Sequence, residues 1–198
     1  MNKKDVIAII GKAGSGKDTI LQEVLKRAPL VAKDEYHEGG CTEFKEIISC
    51  TSRPKRDCEI EGVNYYFLTD EEFAKKVVND EFAEVSNFNN WWYGTLIESL
   101  SAEKRNIGVF NPEGIYSLLE HPQINLMAVY YIDASDKVRL MRQLTRENSP
   151  NIKEIIRRYE ADDKDFQDYN LDFEYTILHN EENDDLMNCV EFIIQDNI

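Results

Sequence analysis

Positive charge is scarce in this chain: 23 lysines and arginines stand against 38 aspartates and glutamates, a formal net charge of -15. As a whole such a molecule repels nucleic acid and anionic membranes. Neither is expected as a partner, and any anion site must be a local cluster of cationic side chains. Cysteine is sparse too. Cys41, Cys50, Cys58 and Cys189 have neither the spacing of a metal knuckle nor that of a small secreted disulfide framework, so reduced thiols are expected. His37, Cys41, Cys50 and Cys58 lack the CxxC pair that would make a zinc site the natural reading. His121 and His179 are isolated and read as structural. No apolar run is long enough to cross a membrane and no signal peptide is recognisable, so a cytoplasmic protein is expected. What is present, 42% hydrophobic and 31% charged residues over 198 positions, describes one soluble domain able to bury a core.

The segment "VIAII", Val6 to Ile10, is a continuous apolar run that suits a central parallel strand buried on both faces. A helix is expected after it, because Ile20, Leu21, Val24 and Leu25 recur at helical spacing, and Pro29 is expected to end that helix. Further strands are expected at 46–51, 107–110, 126–132 and 175–178. Between them Leu140 and Leu144, then Ile152, Ile155, Ile156 and Tyr159, and finally Leu186, Val190, Ile193 and Ile194 fit amphipathic helices. This alternation predicts a three-layer α/β core. Residues 51–95 read differently. Short aromatic segments surround one helix that Thr69 and Glu72 would open with a capping box, which predicts an inserted, partly β subdomain. Residues 28–44 show no period and read as a loop.

The stretch "GKAGSGKDT" has G-x-x-x-x-G-K spacing at Gly11, Gly16 and Lys17, between an expected strand and an expected helix. Glycines let successive N–H groups converge on a phosphate, the helix N-terminus adds positive potential, and the lysine neutralises the β- and γ-phosphates. Ala13, Gly14, Ser15, Asp18 and Thr19 complete the expected ATP-binding loop. Asp18 stands where such loops carry a hydroxyl. It reads either as a direct or water-mediated magnesium ligand, a role its hard carboxylate suits, or as an acidic residue favouring the helix N-terminus.

A second anion cluster follows in "SCTSRPKRDCEIEGVNYYF", Ser49 to Phe67, where Arg53 and Arg56 flank Pro54 and Ser49 and Tyr65 supply hydroxyls. Together with "EFAE" from Glu81 and "WWYGT" from Trp91, this segment strongly resembles the guanylate kinase family of nucleoside monophosphate kinases. The resemblance runs from about Val6 to about Asn180. It implies a P-loop α/β core with a parallel sheet, an acceptor-binding insertion over 51–95 and a small helical lid near 142–158. It also implies transfer of a phosphoryl group from ATP, with Mg2+, to GMP or dGMP. Ser49, Arg53, Arg56, Tyr65 and Tyr93 would surround the acceptor phosphate, and Glu84 and Thr95 would meet the base. Thr95 with Glu98 also spells a capping box, and Trp91 and Trp92 read as cover for the subdomain core or as stacking partners. Arg142 and Arg146 match the lid arginines, Arg157 or Arg158 a further one, with Arg158 preferred, and Asn180 is expected near the donor adenine. Arginines four apart on a helix also pair with neighbouring carboxylates such as Glu147.

The chain departs from the family pattern at "IGVFNPEGI", where Asn111 and Val109 replace acidic positions. Asn111 retains a carbonyl oxygen that can accept from a guanine amino group. Small-molecule nucleotides are the expected partners, in a monomer or a homodimer. A same-fold kinase for another nucleotide or small phosphate ester, and a non-catalytic binding module of this fold, are the rival readings.

Overall fold

A computed structural model describes residues 3–34, 43–56, 59–88, 90–146, 149–168 and 171–197. His37, Cys41 and Cys58 lie outside them, and no group of three potential metal ligands is found among the described residues.

Strand β1 (Lys4–Ile10) is the centre of a five-stranded sheet ordered β2-β7-β1-β8-β9. The other strands are β2 (Phe44–Glu46), β7 (Arg105–Val109), β8 (Ile124–Asp133) and β9 (Thr176–His179); β1 pairs with β7 and β8, and every pairing is parallel. The apolar run of β1 explains its central place, because alternate residues enter two separate cores. Ile7 and Ile9 pack with Ile20 and Val24 of α1 (Lys17–Asp34) and with Val190 and Ile193 of α6 (Asn183–Asp196). Val6, Ala8 and Ile10 pack on the opposite face with Ile115 and Leu118 of α3 (Pro112–Glu120). Each such side chain contributes about 1.5–3 kcal/mol on burial. The expected three-layer core is therefore present.

A second sheet, ordered β4-β3-β6-β5, is built from β3 (Cys50–Thr51), β4 (Tyr66–Phe67), β5 (Phe82–Phe88) and β6 (Trp91–Leu96). It covers a small core of Cys50, Phe73, Phe82 and Leu96. Phe73 comes from α2 (Asp70–Val78), which opens with the expected capping box: Thr69 Oγ1 accepts from Glu72 N and the Glu72 side chain accepts from Thr69 N. Trp92 stacks over Phe73 from outside. The helices α4 (Asp136–Thr145) and α5 (Ile152–Asp168) connect β8 to β9.

Three expectations are corrected. Helix α1 runs through Pro29 to Asp34: the fixed φ of proline is itself helical, so the residue forfeits a backbone hydrogen bond and crowds the carbonyl four residues before it without ending the helix. The strand expected over 46–51 is two strands in two sheets: β2 stops at Glu46, Ile47 N still donates to Ile107 O at 2.9 Å, and Cys50 pairs with Gly94. The run reads as continuous because both halves are apolar, whereas the change of sheet is set by tertiary pairing. Thr95 and Glu98 form no capping box. Thr95 lies inside β6, and the short 3-10 turn Ile97–Ser99 begins after Leu96 with no side-chain cap.

Buried Asn106 joins the two ends of this frame. Its Nδ2 donates to Asp5 O at 2.9 Å and Ser101 O at 3.0 Å, and its Oδ1 accepts from Ser101 N at 2.8 Å. Asn106→Ala should strand these buried groups and lower stability by on the order of 3 kcal/mol, measured by denaturant unfolding.

Candidate active site

Strand β1 delivers the glycine loop to the N-terminus of α1, and three close approaches dictate its glycines. A Cβ on Gly11 would lie 2.6 Å from Ile132 O, and one on Gly14 would lie 2.6 Å from Arg139 O. One on Gly16 would collide with the Asn180 side-chain amide, and the positive φ of 83° at Gly14 and 95° at Gly16 independently favours glycine. Asn180 is fully buried and its Nδ2 donates to Ser15 O at 2.7 Å. It thus holds the backbone of the loop at Ser15. Arg142 Nη1 also donates to Ser15 O, at 3.2 Å.

Lys17 lies in the first turn of α1, its Nζ 3.6 Å from Asp18, whose side chain is 82% exposed. Thr19 is likewise exposed. The Ala13 N–H donates to Asp162 Oδ2 at 2.6 Å and its carbonyl accepts from Arg139 Nε at 3.0 Å, while the Ser15 N–H donates to Lys12 O at 3.1 Å, so these two loop N–H groups have partners within the protein. Burial pushes the Asp162 carboxyl above its ordinary range, against the lowering effect of Ala13 N–H, Lys17 and Arg139.

Across the cleft the second anion cluster is assembled by β3, β4 and β6. Arg53 is 5% exposed and its Nη2 lies 2.6 Å from Glu59 Oε1. Glu59 Oε2 also accepts from Arg56 N at 2.8 Å, so one carboxylate orders both arginines. Burial opposes the Arg53 charge, but Glu59 and the Tyr93 hydroxyl outweigh it and raise the pKa. The Arg56 side chain is half exposed. Tyr65 packs edge-on against Tyr93 with centroids 5.8 Å apart. Its hydroxyl is pushed up to about 12, chiefly by burial, then by Tyr93 and by the negative Asp18.

Behind the cluster is a buried carboxyl. Glu84, on β5, is 5% exposed, and its Oε1 accepts from Thr95 Oγ1 at 2.8 Å. Ser49 Oγ lies 3.4 Å from the same Thr95 oxygen. With the threonine hydrogen directed at Glu84, Ser49 is the donor in that contact. Desolvation pushes Glu84 up to about 7, with Glu113 adding to the effect and Thr95 opposing it. The α3 N-terminus closes this pocket. A Cβ on Gly114 would lie 3.0 Å from Glu84 Oε2 and 3.1 Å from Asn111 Oδ1. Asn111 is the N-cap of α3, its Oδ1 accepting from Gly114 N at 2.9 Å. The oxygen expected to meet a guanine amino group therefore has one lone pair committed to the helix.

On the lid side, Glu154 holds two arginines. Arg157 donates to both of its oxygens at 2.7 Å, and Arg158 Nε donates at 3.0 Å. Hydrogen bonding from Arg157 leads the causes that bring Glu154 down to about 2. Arg157 and Arg158, the two candidates for the further lid arginine, thus share one carboxylate. Arg146 is exposed at the end of α4. Sequence reasoning missed Glu59, Glu154, Arg139 and Asp162. Their only local signal is that each acidic member lies within a few residues of an arginine or on a helix facing one.

The guanylate kinase family model matches residues 3–197. The guanylate kinase of Mycoplasmoides gallisepticum is 29% identical over 199 residues, covering 98% of this chain and 92% of that protein. That of Fusobacterium nucleatum subsp. nucleatum is 28% identical over 178 residues, covering 87% of this chain and 86% of that protein. The crystal structure of guanylate kinase from Anaplasma phagocytophilum superposes with a TM-score of 0.64 at 16% identity, over 99% of this chain and 86% of that chain.

Glu84 makes a pH signature. The unfolded carboxyl titrates near 4.5 and the folded one near 7, so the folded state holds the proton more tightly. The resulting stability is full below the unfolded value and is lost as pH rises through the folded one. Glu84→Gln should therefore gain on the order of 3 kcal/mol over the unsubstituted chain above neutral pH and little in acid, read by denaturant unfolding at both. The same gain at both pH values would contradict a raised carboxyl.

Proposed function

The chain belongs to the guanylate kinase family, and from that membership we propose that it transfers the γ-phosphoryl group of ATP to GMP and dGMP, giving ADP and the nucleoside diphosphate. What carries the reading is the family match over residues 3–197, supported by two groups of anion-binding side chains, Lys17 at the glycine loop and the Arg53–Arg56 group, the second joined through Ser49 and Thr95 to the buried Glu84 carboxyl.

The glycine loop cradles the donor phosphates through the N–H groups of Gly14 and of Gly16 to Thr19, with Lys17 beside them. Asp18 presents an exposed carboxylate next to Lys17, a hard oxygen donor that fits Mg2+. Mg2+, when bound, neutralises charge on the β- and γ-phosphates. Arg53, Arg56, Ser49, Tyr65 and Tyr93 bind the acceptor phosphate. An acceptor phosphate oxygen is already anionic, so it attacks the γ-phosphorus without a general base while the β–γ bridging oxygen leaves with the bond electrons. Lys17, Arg53, Arg142, Arg146 and one of Arg157 and Arg158 stabilise the charge that develops. The segment 51–95 acts as the acceptor unit and 142–158 as the lid whose closure excludes water.

Guanine offers N1–H and N2–H side by side, a donor pair that the Glu84 carboxylate accepts. In the free pocket Thr95 gives its hydrogen to Glu84. When the donor pair arrives, that hydrogen is released to turn toward guanine O6. The second lone pair of Asn111 Oδ1 is available to the amino group. Adenine has no matching donor pair and would leave these groups unpaired.

The test is ADP release from MgATP with GMP, dGMP, AMP, dTMP, CMP and UMP supplied singly. Turnover should be confined to GMP and dGMP. Lys17→Ala should lower kcat by about a hundredfold or more, and Glu84→Gln should lower kcat/KM for GMP by a similar factor. Turnover on another acceptor would move the specificity, and nucleotide binding without turnover would make the chain a binding module. Asp18→Ala should raise the Mg2+ concentration needed for half-maximal rate; an unchanged requirement would remove Asp18 from the metal site.

A further inference from the structure

Ala13 sits at the outer end of the glycine loop, and buried charges from two helices grip the backbone on both sides of it. Asp162 of α5 accepts its N–H at 2.6 Å. Arg139 of α4 donates to its carbonyl at 3.0 Å, and Gln143 Nε2 approaches the same carbonyl at 3.4 Å. Arg139 Nη2 lies 3.3 Å from the same Asp162 oxygen, which closes a ring through the backbone. The two residues are only 2% and 8% exposed. Arg139 is fixed further by Asp136 Oδ1 at 2.7 Å and by the Tyr159 ring, 4.5 Å from its guanidinium carbon.

Burying an ion pair is rarely the cheapest way to gain stability, since apolar residues of similar volume serve as well. What this pair supplies is direction. A carboxylate accepts only and a guanidinium donates only, so turning the Ala13 backbone would set a carbonyl against Asp162 or an N–H against Arg139. The next residue has no freedom to compensate, because Gly14 already abuts the Arg139 carbonyl. We propose that Arg139 and Asp162 are positioning residues that fix the backbone at Ala13, so that the N–H groups following it converge on the donor phosphate only when α4 and α5 are seated. The proposal rests on the kinase reading, since it concerns the ATP side of that same cleft.

The test compares Asp162→Ala, Asp162→Asn and the double substitution Arg139→Leu/Asp162→Ala in the full chain. The readouts are MgADP affinity by calorimetry, KM for ATP and for GMP, and the melting temperature. Asp162→Ala should weaken MgADP binding and raise KM for ATP by about tenfold while KM for GMP stays within about twofold. Asp162→Asn retains an acceptor for Ala13 N–H and should recover most of that loss. The double substitution leaves no buried charge unpaired, so it should fold and still bind MgADP weakly. Unchanged MgADP affinity in a folded Asp162→Ala or double variant would overturn the proposal. So would equal losses for both nucleotides, or an unfolded double variant, either of which would make the pair a general structural element. MgADP affinity is read without turnover, so a wild-type chain that failed to phosphorylate GMP would refute the kinase reading and leave this outcome legible.

Discussion

The architecture depends on how closely other elements approach the backbone of the glycine loop. The loop is pressed against the backbone of β8 at Gly11 and of α4 at Gly14, and against the Asn180 side chain, just after β9, at Gly16. No Cβ could be added at these points without moving a neighbour. Placing the loop there requires β1 to be the middle strand, and its unbroken apolar character lets it be buried from both faces. The same constraint recruits Asn180 and Arg142, whose amide and guanidinium satisfy carbonyls that the tight turn leaves without partners inside the loop.

The acceptor side works by a different principle. Its inner end is a carboxyl that is only 5% exposed, with a neutral hydroxyl as its donor. Burial leaves Glu84 near neutrality in its proton equilibrium, so a ligand offering two donors stabilises the charged form that the empty pocket resists. Asn111 shows how one residue carries two demands. It caps α3 through the same oxygen that faces the pocket, tying helix placement to pocket polarity.

Much of this was legible in the sequence because it is local. The glycine spacing, the run Val6–Ile10 and the Thr69–Glu72 box each announce themselves within a few residues, and each appears where expected. The resemblance supplied the acceptor constellation that spacing alone left ambiguous. What escaped was set by tertiary geometry. Nothing in "EIISCT" marks the passage from one sheet to another at residues 47–49, since both sheets accept apolar residues there. Pro29 obeys a statistical rule for helix ends that this helix overrides. Glu59, Glu154 and Asp162 look like ordinary members of an acidic surface until the fold sets each against an arginine.

That pairing gives the excess of negative charge a use. Arg53, Arg139, Arg157 and Arg158 each rest against a carboxylate supplied by the protein itself. These arginines thus carry resident counterions, and their positive potential is latent: any anion that reaches Arg53, Arg157 or Arg158 has to compete with a carboxylate already in place.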